Sequence, residues 1–152
     1  MKDISNTWKL RYLDLAKQIS TWSKDPSTKV GAVVVGSKGQ ILSQGYNGFP
    51  RGISDLNSRL VNKEVKHSYV VHAELNAIYN ASYNGVSLDG ATLYVSGLPI
   101  CSECTKGIIQ VGIKHVVMWN KDYPEKWMKS FYNSREMLKE AGIAHTFVKE
   151  SK

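Results

Sequence analysis

The run Val30-Gly31-Ala32-Val33-Val34-Val35 limits the architecture more than any other stretch. Consecutive apolar, mostly β-branched positions leave no polar face, so a strand here has to be covered on both sides. Gly36-Ser37-Lys38-Gly39 turns the chain, and residues 40–46 return as a second strand paired with the first as a hairpin. Three more segments, 91–96, 115–119 and 144–148, read as strands.

Helical patterns lie between them. Residues 5–22 carry Trp8, Leu10 or Tyr12, Leu15 and Ile19 at helical spacing, with Ser5 or Asn6 as the cap. Pro26 and its polar neighbours break that helix. From His72, the residues Leu75, Ile78, Tyr79 and Ser82 or Tyr83 mark one side of a helix ending near Gly85. Two more helices, 102–111 and 125–141, are closed by Gly112 and Gly142. Strands alternating with helices predict one α/β domain over residues 1–152, with helices covering the sheet.

Two connections stand apart. Asn47-Gly48-Phe49-Pro50-Arg51-Gly52 has the composition of a shaped loop whose Asn and Arg can hold a ligand. Residues 53–71 are polar and weakly patterned, and are expected to form a long irregular segment.

The chemistry is concentrated in His72-Ala73-Glu74 and, about thirty residues on, Pro99-Ile100-Cys101-Ser102-Glu103-Cys104. Imidazole and thiolate suit zinc, and three protein ligands leave a fourth tetrahedral position for water. Mid-helix, residues two apart point roughly 200° from each other. His72 and Glu74 can therefore face one ion only at a helix N-terminus, where Cys101 and Cys104 are also expected. The expected set is zinc on His72, Cys101 and Cys104, with Glu74 off the metal as base and then acid, and the Ala73 N–H near the substrate ring carbonyl. Other readings of the same residues are a redox Cys-x-x-Cys and a closed structural site in which His67 and His72 complete a Cys₂His₂ set. His115 and His145 read as strand-associated or surface histidines.

The chain has only two cysteines, three apart, and these cannot form a disulfide framework. Met1 to Asn6 contain no apolar h-region and no apolar run approaches a membrane span, so a cytoplasmic location is expected. The net charge is +7, but no two Lys or Arg are adjacent. The positive surface is diffuse, and a small phosphorylated ligand suits it better than a polyanion.

Taken together, Asp25-Pro26-Ser27-Thr28-Lys29-Val30-Gly31-Ala32, Gly45-Tyr46-Asn47-Gly48-Phe49-Pro50-Arg51-Gly52, His72-Ala73-Glu74-Leu75-Asn76-Ala77-Ile78 and the cysteine segment resemble the deoxycytidylate (dCMP) deaminase family of the cytidine deaminase superfamily. The resemblance runs from about Trp22 to Val148, with one departure: Ile100 stands between Pro99 and Cys101, where the family has Pro directly before the first Cys. It implies a three-layer fold, a five-stranded mixed sheet with helices on both faces, and conversion of dCMP to dUMP. It further implies a hexamer, activation by dCTP and inhibition by dTTP, with Mg²⁺ on the triphosphate. Asn47 matches a substrate-sugar contact, Tyr123 is the candidate near the substrate phosphate, and Lys29, Asn47, Gly48 and Arg51 are candidates for the effector site. The competing functions are a deaminase acting on a base in RNA or DNA, which needs a basic groove, and a non-catalytic zinc module, which has no use for Glu74.

Overall fold

The structure is a computed structural model that describes residues 4–150. The valine run forms β1 (Gly31–Val35), buried at every position. With β2 (Ile41–Tyr46), β3 (Thr92–Ser96), β4 (His115–Trp119) and β5 (Ala144–Val148) it makes a five-stranded sheet in the order β2-β1-β3-β4-β5. β1 runs antiparallel to both neighbours, whereas β3, β4 and β5 are mutually parallel, so the sheet is mixed. Each parallel step is bridged by a helix: α5 (Ser102–Gln110) joins β3 to β4 and α6 (Glu125–Glu140) joins β4 to β5.

Strand alternation divides the core in two. Val33, Val35, Tyr94, Val117 and Trp119 meet α1 (Asn6–Ser20) on one face. Ala32, Val34, Leu93, Val95, Val116 and Met118 meet the helices of the other face, α4 (Ala73–Tyr83), α5 and α6. That gives three layers, as the β1 sequence requires. Ser5 caps α1, its Oγ accepting the Trp8 N–H at 3.3 Å. The buried stripe of α1 is Tyr12, Leu13, Ala16 and Ile19, while Trp8 is 48% exposed.

Two expectations need correction. The face of α4 turned inward is Ala73, Ala77, Ile78 and Ala81, not the side carrying Tyr79 and Tyr83, which are exposed. The reason lies on β2, where a Cβ at Gly45 would stand 2.6 Å from the Ala73 carbonyl oxygen. The helix lies directly on the strand, and only small side chains fit between. Residues 53–71 are likewise not irregular throughout, since they contain α2 (Asn57–Val61) and α3 (Lys63–Tyr69). Asn62 caps α3, accepting the Val65 N–H at 3.2 Å. This helix docks through a charge: Lys66 is buried, its Nζ 3.2 Å from Asp25 Oδ1 and 2.7 Å from Ser27 Oγ.

Beyond β3, Gly97 has φ 130°, and a Cβ there would lie 2.6 Å from the Lys29 carbonyl oxygen. A glycine lets the β3–α5 loop cross this close to the start of β1. The start of α5 is thereby brought beside the start of α4. Among the described residues, no helix is long and apolar enough to cross a membrane.

Candidate active site

His72 is the N-cap residue of α4 and Cys101 that of α5, so two helix N-termini converge. The Nδ1 of His72 is 3.3 Å from the sulfurs of both Cys101 and Cys104. The three ligand atoms lie within 4.8 Å of one another, the only such metal-competent group of His, Cys, Asp or Glu among the described residues. One nitrogen and two sulfurs so close fit zinc by both geometry and donor type. Ile100 is fully buried and leaves the sulfur pair at the helix start. His67 is exposed and outside the group, so it does not complete a four-residue cage.

The electrostatics suit a cation. The Cys101 thiol is held down at about 4 by the hydrogen bond from Cys104, against the effect of burial, and His72 lowers it further. Cys104 is raised, first by that same hydrogen bond and then by burial. His72 is raised by its hydrogen bond to Cys101, which outweighs burial. The hydrogen bond between the sulfurs favours a thiolate at Cys101, and helix N-termini favour negative charge there.

Glu74 lies on the first turn of α4 and is 4% exposed. Burial pushes its carboxyl up to about 7, with the His72 charge pulling the other way. A carboxyl that titrates near neutrality can both take and return a proton. Glu74, Ala73, His72 and Cys101 share the wall of one cavity of about 390 Å³. Lys63, Lys66 and His67 from α3, Asp25, and Lys126 beside Trp127 at the start of α6 also line it. Lys66 is neutralised by Asp25, whereas the Lys126 ammonium lies 5.0 Å from the Trp127 ring centroid.

Of the remaining expected residues only Asn47 lines this cavity; Lys29, Gly48, Arg51 and Tyr123 lie outside its lining. Asn47 lines it, with Oδ1 accepting the Val30 N–H at 2.8 Å and Nδ2 donating to the Thr28 carbonyl at 2.9 Å. Gly48 exchanges backbone hydrogen bonds with Val71, next to His72. Lys29 donates to the Ser23 carbonyl, and Arg51 reaches Asn80 with its guanidinium 5.1 Å from the Tyr83 ring centroid. Tyr123 donates to the Trp119 carbonyl at 2.9 Å and is not among the lining residues. Sequence reasoning missed Lys63, Lys66, Lys126 and Trp127. The first two sit in a segment without an apolar period, and only the fold brings α3 and α6 to one cavity.

The description "cytidine and deoxycytidylate deaminase zinc-binding region" belongs to a family profile that matches residues 6–120. An uncharacterized deaminase of Aliivibrio fischeri is 36% identical over 143 residues, covering 93% of each chain. The human deoxycytidylate deaminase is 41% identical over 121 residues, which is 76% of this chain and 66% of the human one. A crystal structure of a dCMP deaminase from cyanophage S-TIM5, in complex with dCMP and dUMP, superposes with a TM-score of 0.76 at 28% identity, over 97% of this chain and 100% of the other.

Proposed function

This chain belongs to the cytidine and deoxycytidylate deaminase family, and from that membership and its site we propose that it is a dCMP deaminase, hydrolysing dCMP to dUMP and ammonia. The observation that carries the reading is one cavity lined by Glu74, by His72 and Cys101 of the His72, Cys101 and Cys104 set, and by Lys63, Lys66 and Lys126. A free nucleoside leaves Lys63 and Lys126 unused, whereas a 5′-phosphate matches them.

Zinc held by His72, Cys101 and Cys104 would supply the Lewis acidity that makes water a competent nucleophile near neutral pH. Glu74 takes a proton from the water that adds to C4 and passes it to ring N3. It then moves the second proton to the departing amine, so that one water enters and one ammonia leaves. The Ala73 N–H is held at the ring carbonyl, Asn47 faces the sugar, and Lys63 and Lys126 meet the phosphate. Tyr123 is assigned to the phosphate side of the substrate.

The finer reading concerns control. Lys29, Asn47, Gly48 and Arg51 receive a nucleoside triphosphate with Mg²⁺, dCTP activating and dTTP inhibiting, in a cytoplasmic homo-oligomer that is a hexamer. Asn47 and Gly48 line a smaller cavity of about 90 Å³ that shares Asp25, Asn47 and Lys66 with the larger one, whereas Lys29 and Arg51 lie outside it. A rate unmoved by dCTP and dTTP in the presence of Mg²⁺ removes the regulatory part.

Ammonia release from dCMP, deoxycytidine and a short RNA hairpin tests the main reading. Turnover of dCMP is expected to exceed that of the nucleoside, with none on the hairpin. Preference for the hairpin, or no release from any substrate by zinc-loaded protein, contradicts it.

A further inference from the structure

Cys101 has two jobs at the start of α5. As the N-cap residue of α5 it should accept a hydrogen bond from the first turn, and its sulfur does lie 3.4 Å from the Cys104 nitrogen. As a metal ligand, that sulfur would use one lone pair on the ion and still accept the N–H with another. The helix start is secured from another element: Ser130 on α6 accepts the Ser102 N–H at 2.9 Å, and its hydroxyl lies 3.3 Å from Ser102 Oγ. One turn further along α6, Ser134 is fully buried and donates to the Ile100 carbonyl at 2.8 Å. The residues on either side of Cys101 are thus both fixed by α6, a helix that begins after the family match ends at residue 120.

We propose that Ser130 and Ser134 are positioning residues of the metal centre: by capping the Ser102 N–H alongside Cys101 and holding the carbonyl of Ile100, they set the direction of the Cys101 sulfur. The inference rests on the zinc reading of His72, Cys101 and Cys104. A hydroxyl that orients a ligand is expected to affect metal retention more than folding, because partners behind a ligand typically contribute about 10- to 100-fold in metal affinity.

The test uses the zinc-loaded enzyme with a chromogenic chelator, and the cobalt-substituted enzyme for its sulfur-to-cobalt absorption band. Ser130→Ala and Ser134→Ala are expected to release zinc at least about 10-fold faster and to shift that band. Ser130→Thr, which keeps the hydroxyl at a half-buried position, is expected to restore both, and Ser37→Ala in the β1–β2 turn to change neither. Ser130→Ala is the deciding variant, since the fully buried Ser134 is the harder site to alter without disturbing folding. Zinc release and a cobalt spectrum equal to the unsubstituted enzyme in Ser130→Ala overturn the proposal. An unsubstituted chain that takes up no zinc overturns the reading beneath it, a result easily told from the first.

Discussion

The ring nitrogen Nδ1 of His72 stands 3.3 Å from the sulfur of Cys104, across 32 residues of sequence. The contact exists because α4 and α5 start side by side. Removing either ligand therefore breaks the metal set without touching the sheet. His72→Ala and Cys104→Ser are expected to lose zinc by elemental analysis and to lose activity, whereas His67→Ala keeps the metal. Chelation is expected to abolish turnover and added zinc to restore it. Loss of zinc in His67→Ala would return the closed Cys₂His₂ reading.

Glu74→Gln separates proton movement from metal binding. Turnover is expected to fall by at least about 10²–10⁴-fold, the usual weight of a general acid–base group, with zinc content unchanged. A variant that keeps its rate places the proton carrier elsewhere.

The same substitution has a stability signature in metal-free protein. Burial raises the Glu74 carboxyl from 4.5 to about 7. The unfolded chain releases this proton first, so the folded state loses stability as pH rises from about 4.5 to 7, and the loss levels off above that. Cys101, held at about 4, acts in the opposite sense and gains with rising pH. The difference between the parent and Glu74→Gln isolates the first effect. The parent's deficit is expected to grow over that window in denaturation titrations; a difference that is flat with pH contradicts the burial argument.

Lys66 and Asp25 form an ion pair whose side chains are both 9% exposed. Burial alone would raise the Asp25 carboxyl, but hydrogen bonds from the Ser27 and Thr28 N–H groups and from Lys66 bring it below its ordinary value. A depressed carboxyl stabilises above its unfolded value near 4, and that contribution disappears as pH falls through the folded value. Lys66→Met leaves a buried charge unpaired and is expected to cost about 3–5 kcal/mol in urea denaturation. A double variant, Lys66→Met with Asp25→Asn, is expected to recover part of it; simple additivity would show that the pair is not coupled.

Gly45→Ala tests the close packing of α4 on β2. The added methyl meets the helix backbone at Ala73 and Ala77. A loss of at least about 1–3 kcal/mol is expected, the usual range for overpacking. An unchanged melting temperature would mean the helix lies further from the strand.

The layers were legible because β1 has no polar position to offer solvent, and the ligand set because nitrogen and sulfur donors leave so distinct a pattern in sequence. The inward face of α4 was not legible. Its apolar period points to Tyr79 and Tyr83, yet Gly45 on a distant strand admits only alanine-sized neighbours. α3 was hidden for a similar reason, since Lys66 docks it through Asp25 and no apolar stripe announces it. Lys63 and Lys126 line one cavity, and only folding brings them to the same site. The serines of α6 carry no motif and take on meaning from the helix start they hold.

X-ray absorption at the zinc edge of the purified, metal-loaded protein is the most direct measurement. Two sulfurs at about 2.3 Å, one imidazole nitrogen at about 2.0–2.1 Å and one exchangeable oxygen are expected. A fourth protein ligand in place of that oxygen, or a zinc bound without sulfur, would contradict the site on which the deaminase reading stands.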